Sequence, residues 1–465
     1  MTSPNVVLVL ADDLGWGDLG CYGGTAIPTP AVDRLARHGT RFVDCHAASA
    51  VCTPSRYGLV TGTYPWRSPL RSGVLGGPDP ALIRPGQETL ASALKAAGYA
   101  TGAFGKWHLG LGWRRQDGTV ASAYGEGWRP DLEADGWDID YAAPFSGGPL
   151  ELGFDRFFGI AGSLDMPPYV YLDQDRAEGL PTVAKDPLVT SQRPGPAVPG
   201  WRDDEVDLRF LAEASSWVGE RVEEATPFFA YVATAAPHRP CVPPRQFVGR
   251  SQAGPRGDGV CVVDHVVGEL VALLERLDVL DDTVVIVASD NGAPTMFPED
   301  GDVVGHRPNG PWRGQKADVW EAGHRVPLIV SGPGVPQGQV SSETVSLLDL
   351  LPSLAPMTGA TTPQVDGRRI ASLTTLVERH QPRSLGATAF DGSLTVRHGS
   401  RKAIFSSGSG GFTPPLGTPV APDAPDGQLY DLSADPAETT NLWPDNAAEA
   451  VSMYGSFCAE TGYRR

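Results

Sequence analysis

A chain of 465 residues, 41% hydrophobic and 20% charged, has the balance of a globular protein with a large buried core, and one big domain plus a smaller one is expected. The formal net charge of -18 argues against nucleic acid and against an anionic membrane surface as partners, and no stretch approaches the roughly 20 apolar residues that cross a bilayer. An anionic substrate would have to be drawn by a local cluster of basic side chains, because the overall field repels it.

The first predicted element is a strand over 6–10, an unbroken aliphatic run of the kind covered on both faces in a mostly parallel sheet. It passes straight into Ala11-Asp12-Asp13, with no basic leader before it, so a cytoplasmic protein is expected. Asp12 and Asp13 fall past the strand's C-terminal end, where open α/β sheets place their ligands. Two adjacent carboxylates there suit a hard divalent cation, with a solvated turn as the alternative. Residues 29–39 read as a helix capped by Thr29, with Pro30 in its first turn and Gly39 at its end, which makes His38 a helix C-terminal cation.

Cys52-Thr53-Pro54-Ser55-Arg56 then sets a cysteine at the mouth of a helix whose first turn accepts Pro54. Unpaired backbone N–H groups and Arg56 one turn on favour negative charge at residue 52, although a cysteine in such a place is commonly a small buried hydrophobe. The six cysteines, Cys21, Cys45, Cys52, Cys241, Cys261 and Cys458, are too scattered for a disulfide framework.

A helix over 89–98 and a strand over 99–104 lead to Gly105-Lys106-Trp107-His108. In extended chain Lys106 and His108 point to one side and can reach one oxyanion; a solvated lysine and a satisfied polar histidine are the alternative. Residues 112–150 and 165–205 lack periodicity and are expected to be substrate-facing loops, in which Trp113, Trp128, Trp137 and Tyr169 either stack on a ring or pack. The strand over 227–233 ends at Ala236-Pro237-His238-Arg239-Pro240, whose prolines should hold His238 in extended chain as a candidate acid. A helix over 260–277 and a strand over 283–289 follow, the latter ending in Asp290-Asn291-Gly292, which suits either a turn or a ligand set. Beyond Lys316, His324 and Arg325 lie a strand over 326–330 and an amphipathic helix over 345–354, with Pro352 in its last turn. From about 385 the pattern changes to short strands over 394–398, 402–405 and 429–432, closed by a helix over 446–460.

Six segments in this order, Asp12-Asp13, Cys52 to Arg56, Lys106 with His108, His238, Asp290-Asn291 and Lys316, resemble the type I sulfatases of the alkaline phosphatase superfamily. The resemblance implies an α/β fold with a large, mostly parallel mixed sheet sandwiched by helices, alkaline phosphatase-like, and a smaller C-terminal α+β domain with a short antiparallel sheet. It divides the chain into a catalytic domain, 1–380, and a C-terminal subdomain, 381–465. It implies a hydrolase of sulfate monoesters, small-molecule or saccharide, in which a formylglycine-generating enzyme oxidises Cys52 to formylglycine. Asp12, Asp13, Cys52, Asp290 and Asn291 would hold Ca2+ or Mg2+, while Arg56, Lys106, His108, His238 and Lys316 would serve catalysis. A phosphate-ester or phosphonate hydrolase of the same superfamily, and a non-catalytic anion-binding protein with Cys52 unconverted, are the alternatives. Two departures stand out: Val60-Thr61-Gly62-Thr63 where the family often closes Leu-Thr-Gly-Arg, and Ala317 where it commonly has glycine, the second expected to matter little.

Overall fold

The computed structural model describes residues 3–296, 305–373 and 383–464, so the expected boundary at 380 lies outside the described residues. In chain order they form β1 (Asn5–Ala11), α1 (Pro30–Arg37), β2 (Gly39–His46), α2 (Cys52–Thr61), α3 (Leu90–Ala96), β3 (Ala100–Lys106), β4 (Arg156–Ile160), β5 (Leu172–Asp173), β6 (Arg176–Ala177), β7 (Val183–Lys185), β8 (Gly195–Ala197), α4 (Val206–Glu223), β9 (Phe228–Ala233), α5 (Gly254–Arg276), β10 (Thr283–Ser289), α6 (Glu321–His324), β11 (Arg325–Ser331), β12 (Gln339–Ser341), β13 (Val345–Ser346), α7 (Leu350–Thr358), β14 (Ser384–Thr388), β15 (Leu394–His398), β16 (Arg401–Ile404), β17 (Gln428–Asp431) and α8 (Trp443–Thr461).

The large sheet runs β12-β2-β11-β10-β1-β9-β3-β4-β5-β6, with β13 also on β2. Its centre, β10-β1-β9-β3-β4, is parallel, so the C-terminal ends of five neighbouring strands share one edge. β11 is antiparallel to β10 and β2, which brings its start and the end of β2 to that same edge. Side chains of β1 alternate between two cores. Val6, Leu8 and Leu10 pack with Tyr57 and Leu59 of α2, Leu94 of α3 and Leu354 of α7. Val7, Val9 and Ala11 pack with Val32 of α1, Trp217 of α4 and Val267 of α5. Both faces are buried, at about 1.5–3 kcal/mol for each large aliphatic side chain, which is why the run shows no polar alternation.

Several boundaries differ from expectation. Gly39 opens β2, and the helix before it ends at His38, whose Nδ1 lies 2.9 Å from the Arg34 carbonyl. The strand after α3 runs on to Lys106, and α5 starts at Gly254, six residues early. Residues 345–349 form β13 and a 3-10 turn, and α7 begins only at Leu350. Pro352 therefore sits in its first turn, where a missing N–H is harmless, and the helix continues to Thr358.

The second sheet, β14-β15-β16-β17, is antiparallel throughout. With α8 it packs Val396, Leu429, Trp443 and Phe457 against Tyr64, Trp66 and Leu348 from the first part of the chain. A buried charged seam joins the two. Lys402 of β16 meets Glu321 (3.0 Å) and Glu438 (2.8 Å), and Arg397 of β15 and Arg325 both meet Asp44 (2.7 Å each). At its centre His46 and His324 are joined Nδ1 to Nδ1 at 3.0 Å. Lys402 lies 3.3 Å from His324 Nε2 and Arg397 lies 2.9 Å from His46 Nε2, so the outer nitrogen of each ring already faces a cation of the chain.

Burial holds the His46 imidazole below its ordinary value of 6.5 despite Glu321 and Asp44, and burial with Lys402 holds His324 well below it. Between these depressed values and 6.5 the unfolded chain binds protons that the folded pair refuses, so the contribution is complete above 6.5 and is lost as pH falls. Thermal melts from about pH 7.5 to about pH 5 are expected to show stability falling by about 1.4 kcal/mol per pH unit for each proton so excluded. A His46→Gln, His324→Gln double variant should flatten that slope, and an unchanged slope would refute the assignment.

Candidate active site

The shared edge gathers what the motifs separated. β1 delivers Asp12 and Asp13, β3 delivers Lys106 and His108, β9 leads to His238, β10 to Asp290 and Asn291, and β2 to Cys52 at the start of α2. Lys316 arrives on the segment before β11. Lys106 Nζ lies 2.6 Å from Asp12 Oδ2, and Lys316 Nζ lies 2.7 Å from Asp13 Oδ1. Arg56 Nε donates to Asp290 Oδ2 (2.8 Å), its Nη1 donates to the Lys106 carbonyl (2.9 Å), and its Nη2 lies 3.5 Å from Asp12 Oδ1. His238 Nε2 lies 3.6 Å from Asp13 Oδ2. All ten expected positions therefore surround one buried centre.

Two local expectations fail. His108 is not in extended chain but at φ 56°, and its Nε2 faces the Leu75 carbonyl at 2.8 Å. That contact makes Nε2 the protonated nitrogen and leaves Nδ1 buried without a hydrogen bond, its lone pair available. His238 lies in a bend rather than in extended chain, because its N–H closes a turn on the Ala235 carbonyl (3.1 Å) and its Nδ1 is held by the Arg239 carbonyl (2.7 Å). Ala317 sits at φ 77°, a left-handed backbone that costs alanine about 1–2 kcal/mol and glycine nothing, so this departure does carry a cost.

Three carboxylates, Asp12, Asp13 and Asp290, face three cations, Arg56, Lys106 and Lys316, and all six are buried. Burial alone would raise the Asp13 carboxyl, yet Lys316 and His238 outweigh it and hold the group below the ordinary carboxylate range. Asp290 goes the other way, to about 6, because burial and the neighbouring Asp12 outweigh Arg56. Burial lowers His238 to about 4 with help from Lys316, and holds His108 well below 6.5 with help from Lys106. The Cys52 thiol is raised by burial even against Lys106 and Lys316, so the helix mouth does not make it a thiolate.

The donor set fits a hard divalent cation. Ligand atoms of Asp12, Cys52 and Asp290 lie within 4.8 Å of one another, as do those of Asp12, Asp13 and His238. Asp12 Oδ1 and Asn291 Oδ1 are buried acceptors with no hydrogen bond. Such orphaned oxygens cost about 1–3 kcal/mol each unless a cation meets them.

The motifs missed the bracing of Asp13. Its φ is 66°, and its carbonyl accepts from Arg256 Nη2 (2.8 Å) while Arg256 also grips Asp18 (2.7 Å). Arg256 and Asp18 thus hold the strained turn that aims the Asp13 carboxylate. β4 was missed as well. It ends beside Lys106, and past it Ser163 Oγ and Asp165 Oδ1 are buried without hydrogen bonds. The apolar run Phe157-Phe158-Gly159-Ile160 carries the same signal as the other strand ends.

Residues 4–360 match the family model described as Sulfatase. The chain belongs to the sulfatase family. Among its relatives, an N-acetylgalactosamine-6-O-sulfatase of Bacteroides thetaiotaomicron is 32% identical over 94% of this chain and 89% of its own length. Human arylsulfatase A is 33% identical over 94% of this chain and 83% of its own. A solved 6S-sulfatase structure from Bacteroides thetaiotaomicron, described with the metabolism of multiple glycosaminoglycans, superposes with a TM-score of 0.85 at 28% identity, covering 100% of both chains. This sulfatase is accordingly a sulfuric ester hydrolase, built on the sulfatase and alkaline phosphatase-like fold that the resemblance implies. None of its described helices is long and apolar enough to cross a membrane.

Proposed function

We propose that this sulfatase cleaves the sulfate monoesters of small molecules or saccharides with residue 52 as nucleophile, after a formylglycine-generating enzyme has oxidised Cys52. The observation that carries the reading is the pair of buried lysines, Lys106 and Lys316, set against the adjacent carboxylates Asp12 and Asp13 beside the α2 start that bears Cys52. Ca2+ or Mg2+ held by Asp12, Asp13, Asp290 and Asn291, with residue 52 as a further ligand, would supply Lewis-acid polarisation of the sulfate oxygens. Formylglycine, hydrated, would supply one hydroxyl to attack sulfur and a second whose deprotonation expels sulfate, an exit that serine or cysteine lacks.

The remaining work falls to this chain's own side chains. Lys106 and Lys316 neutralise the sulfonyl oxygens, and burial lets them do so without competition from water. Arg56 is committed to Asp290 and the Lys106 carbonyl, so it fixes the carboxylate and the strand end together. His108 is the base, since its Nδ1 is unprotonated and unbonded. His238, neutral in the protein alone, gains proton affinity from the arriving sulfate anion, takes a proton from solvent as the ester binds, and gives it to the leaving alkoxide, with Lys316 as the neighbouring donor.

The name of one relative and the glycosaminoglycan context of the superposing structure favour a saccharide sulfate. The deciding experiment co-expresses the chain with a formylglycine-generating enzyme, maps the residue 52 peptide by mass spectrometry, and measures release from sulfated monosaccharides, 4-nitrophenyl sulfate and 4-nitrophenyl phosphate. An aldehyde at residue 52 with sulfate release well ahead of phosphate release is expected. Full turnover with an intact Cys52 thiol would overturn the nucleophile, and faster phosphate release would move the substrate class.

A further inference from the structure

The cavity wall on the His108 and His238 side is a loop, 161–168, that follows β4. Its Ala161 carbonyl accepts the His108 N–H (3.0 Å). Its Pro167 carbonyl presses on Gly77, where a Cβ would lie 2.1 Å away, in the same stretch whose Leu75 carbonyl takes His108 Nε2. A second stretch is sewn over the loop: Arg193 N–H donates to the Asp165 carbonyl (2.8 Å), and Gln192 Nε2 donates to the Leu164 carbonyl (2.7 Å). Asp165 is thereby fixed on the loop beside His108, near enough for its charge to act on the His238 ring.

Its carboxylate is half satisfied. Oδ2 takes a long contact from Arg193 Nη1 (3.3 Å), while Oδ1 is buried with no hydrogen bond. The residue is 8% exposed, so water does not relieve it. Three uses of a carboxylate at this position can be eliminated. It cannot hold the sulfate, because like charges repel. It does not orient His238, whose Nδ1 is on the Arg239 carbonyl and whose Nε2 faces Asp13, although its charge reaches that ring and raises the ring's proton affinity. It belongs to none of the oxygen and nitrogen clusters of metal-ligating size among the described residues. What remains lacking is a neutral hydrogen-bond donor.

Resting on the reading of the centre given above, we infer that Asp165, braced by Arg193, is a subsite for the hydroxyl groups of the leaving alcohol, which makes a sugar sulfate the preferred substrate over an aryl or alkyl sulfate. A hydroxyl both donates and accepts, so a vicinal pair of them matches a carboxylate beside a guanidinium, whereas an aryl ring leaves the buried Asp165 Oδ1 without a donor. Sites of this design discriminate strongly because the wrong substrate strands buried polar groups.

The test compares kcat/KM for a sulfated monosaccharide and for 4-nitrophenyl sulfate in the converted wild-type enzyme and in Asp165→Ala, Asp165→Asn and Arg193→Met variants. The wild type is expected to favour the sugar, and each variant to reduce the sugar-to-aryl ratio by about 10–100-fold. The isosteric Asp165→Asn keeps the comparison alive if the alanine variant melts early. A ratio unchanged in the variants, or a wild type that favours the aryl ester, overturns the subsite and leaves the sulfatase centre standing. Failure of the converted wild type on both esters would instead strike the centre, and the subsite with it.

Discussion

Cys52→Ala is expected to remove turnover, by on the order of 10^4–10^6-fold, while leaving the melting temperature within a few degrees of the wild type. The two halves of that expectation have different causes. Activity falls because the proposed nucleophile is gone and the cavity carboxylates cannot replace it: Asp12 and Asp13 are paired with Lys106 and Lys316, and Asp290 is bound to Arg56. Stability holds because the change removes a single buried sulfur at the first position of α2, where alanine is a good helix former. Cys52→Ser sharpens the result. Its hydroxyl can accept sulfur once, but it has no second hydroxyl through which to expel sulfate, so one equivalent of alcohol at most should appear in a burst assay. Sulfate release and a thermal melt on the same preparations check both halves, and continued turnover in the alanine variant would refute the nucleophile.

Asp290→Ala is expected to damage both function and fold. Arg56 would lose its 2.8 Å partner while remaining fully buried, keeping only the Lys106 carbonyl and the longer contact to Asp12, and a loss approaching the about 3–5 kcal/mol of a broken buried pair is expected. The Asp13 N–H would lose an acceptor at 3.2 Å, loosening the turn that Arg256 also holds. Urea unfolding should show the loss in the presence of a chelator, independent of any metal. With Ca2+ added, wild type should gain stability and the variant little, since one of the proposed ligands is gone. An Asp290→Ala protein as stable as wild type, and equally responsive to Ca2+, would mean that this carboxylate is not part of the centre.

The centre was legible because each of its anionic parts ends an unbroken aliphatic strand, so the fold itself converts Asp12-Asp13 and Asp290-Asn291 into neighbours. Lys106 was legible for the same reason. The backbone around them was less so. The left-handed turn at His108 follows from a carbonyl of residue 75, and the bend at His238 closes on Ala235; neither leaves a periodic trace. Pro352 misled because a proline marks the first turn of a helix as readily as its end, and only the start at Leu350 decides between them. Arg256, 238 residues from Asp18, could not be paired with it by spacing. Asp165 was hidden because its importance lies in a hydrogen bond it does not make.

The burial of residue 52, with only 2% of its surface exposed, has a consequence for biogenesis. An oxidising enzyme cannot grip a thiol so buried at the start of α2, so the proposed modification would have to happen on a nascent or incompletely folded chain. The timing is favourable: residue 52 is made well before Phe390 and Ser409, and the segment bearing Lys316 hangs between the Ala50 carbonyl and those two residues. Closure of the cavity thus waits for the final stretch to be made, and conditions that slow folding should raise the converted fraction, while any that hasten it should leave more of the molecules permanently inert.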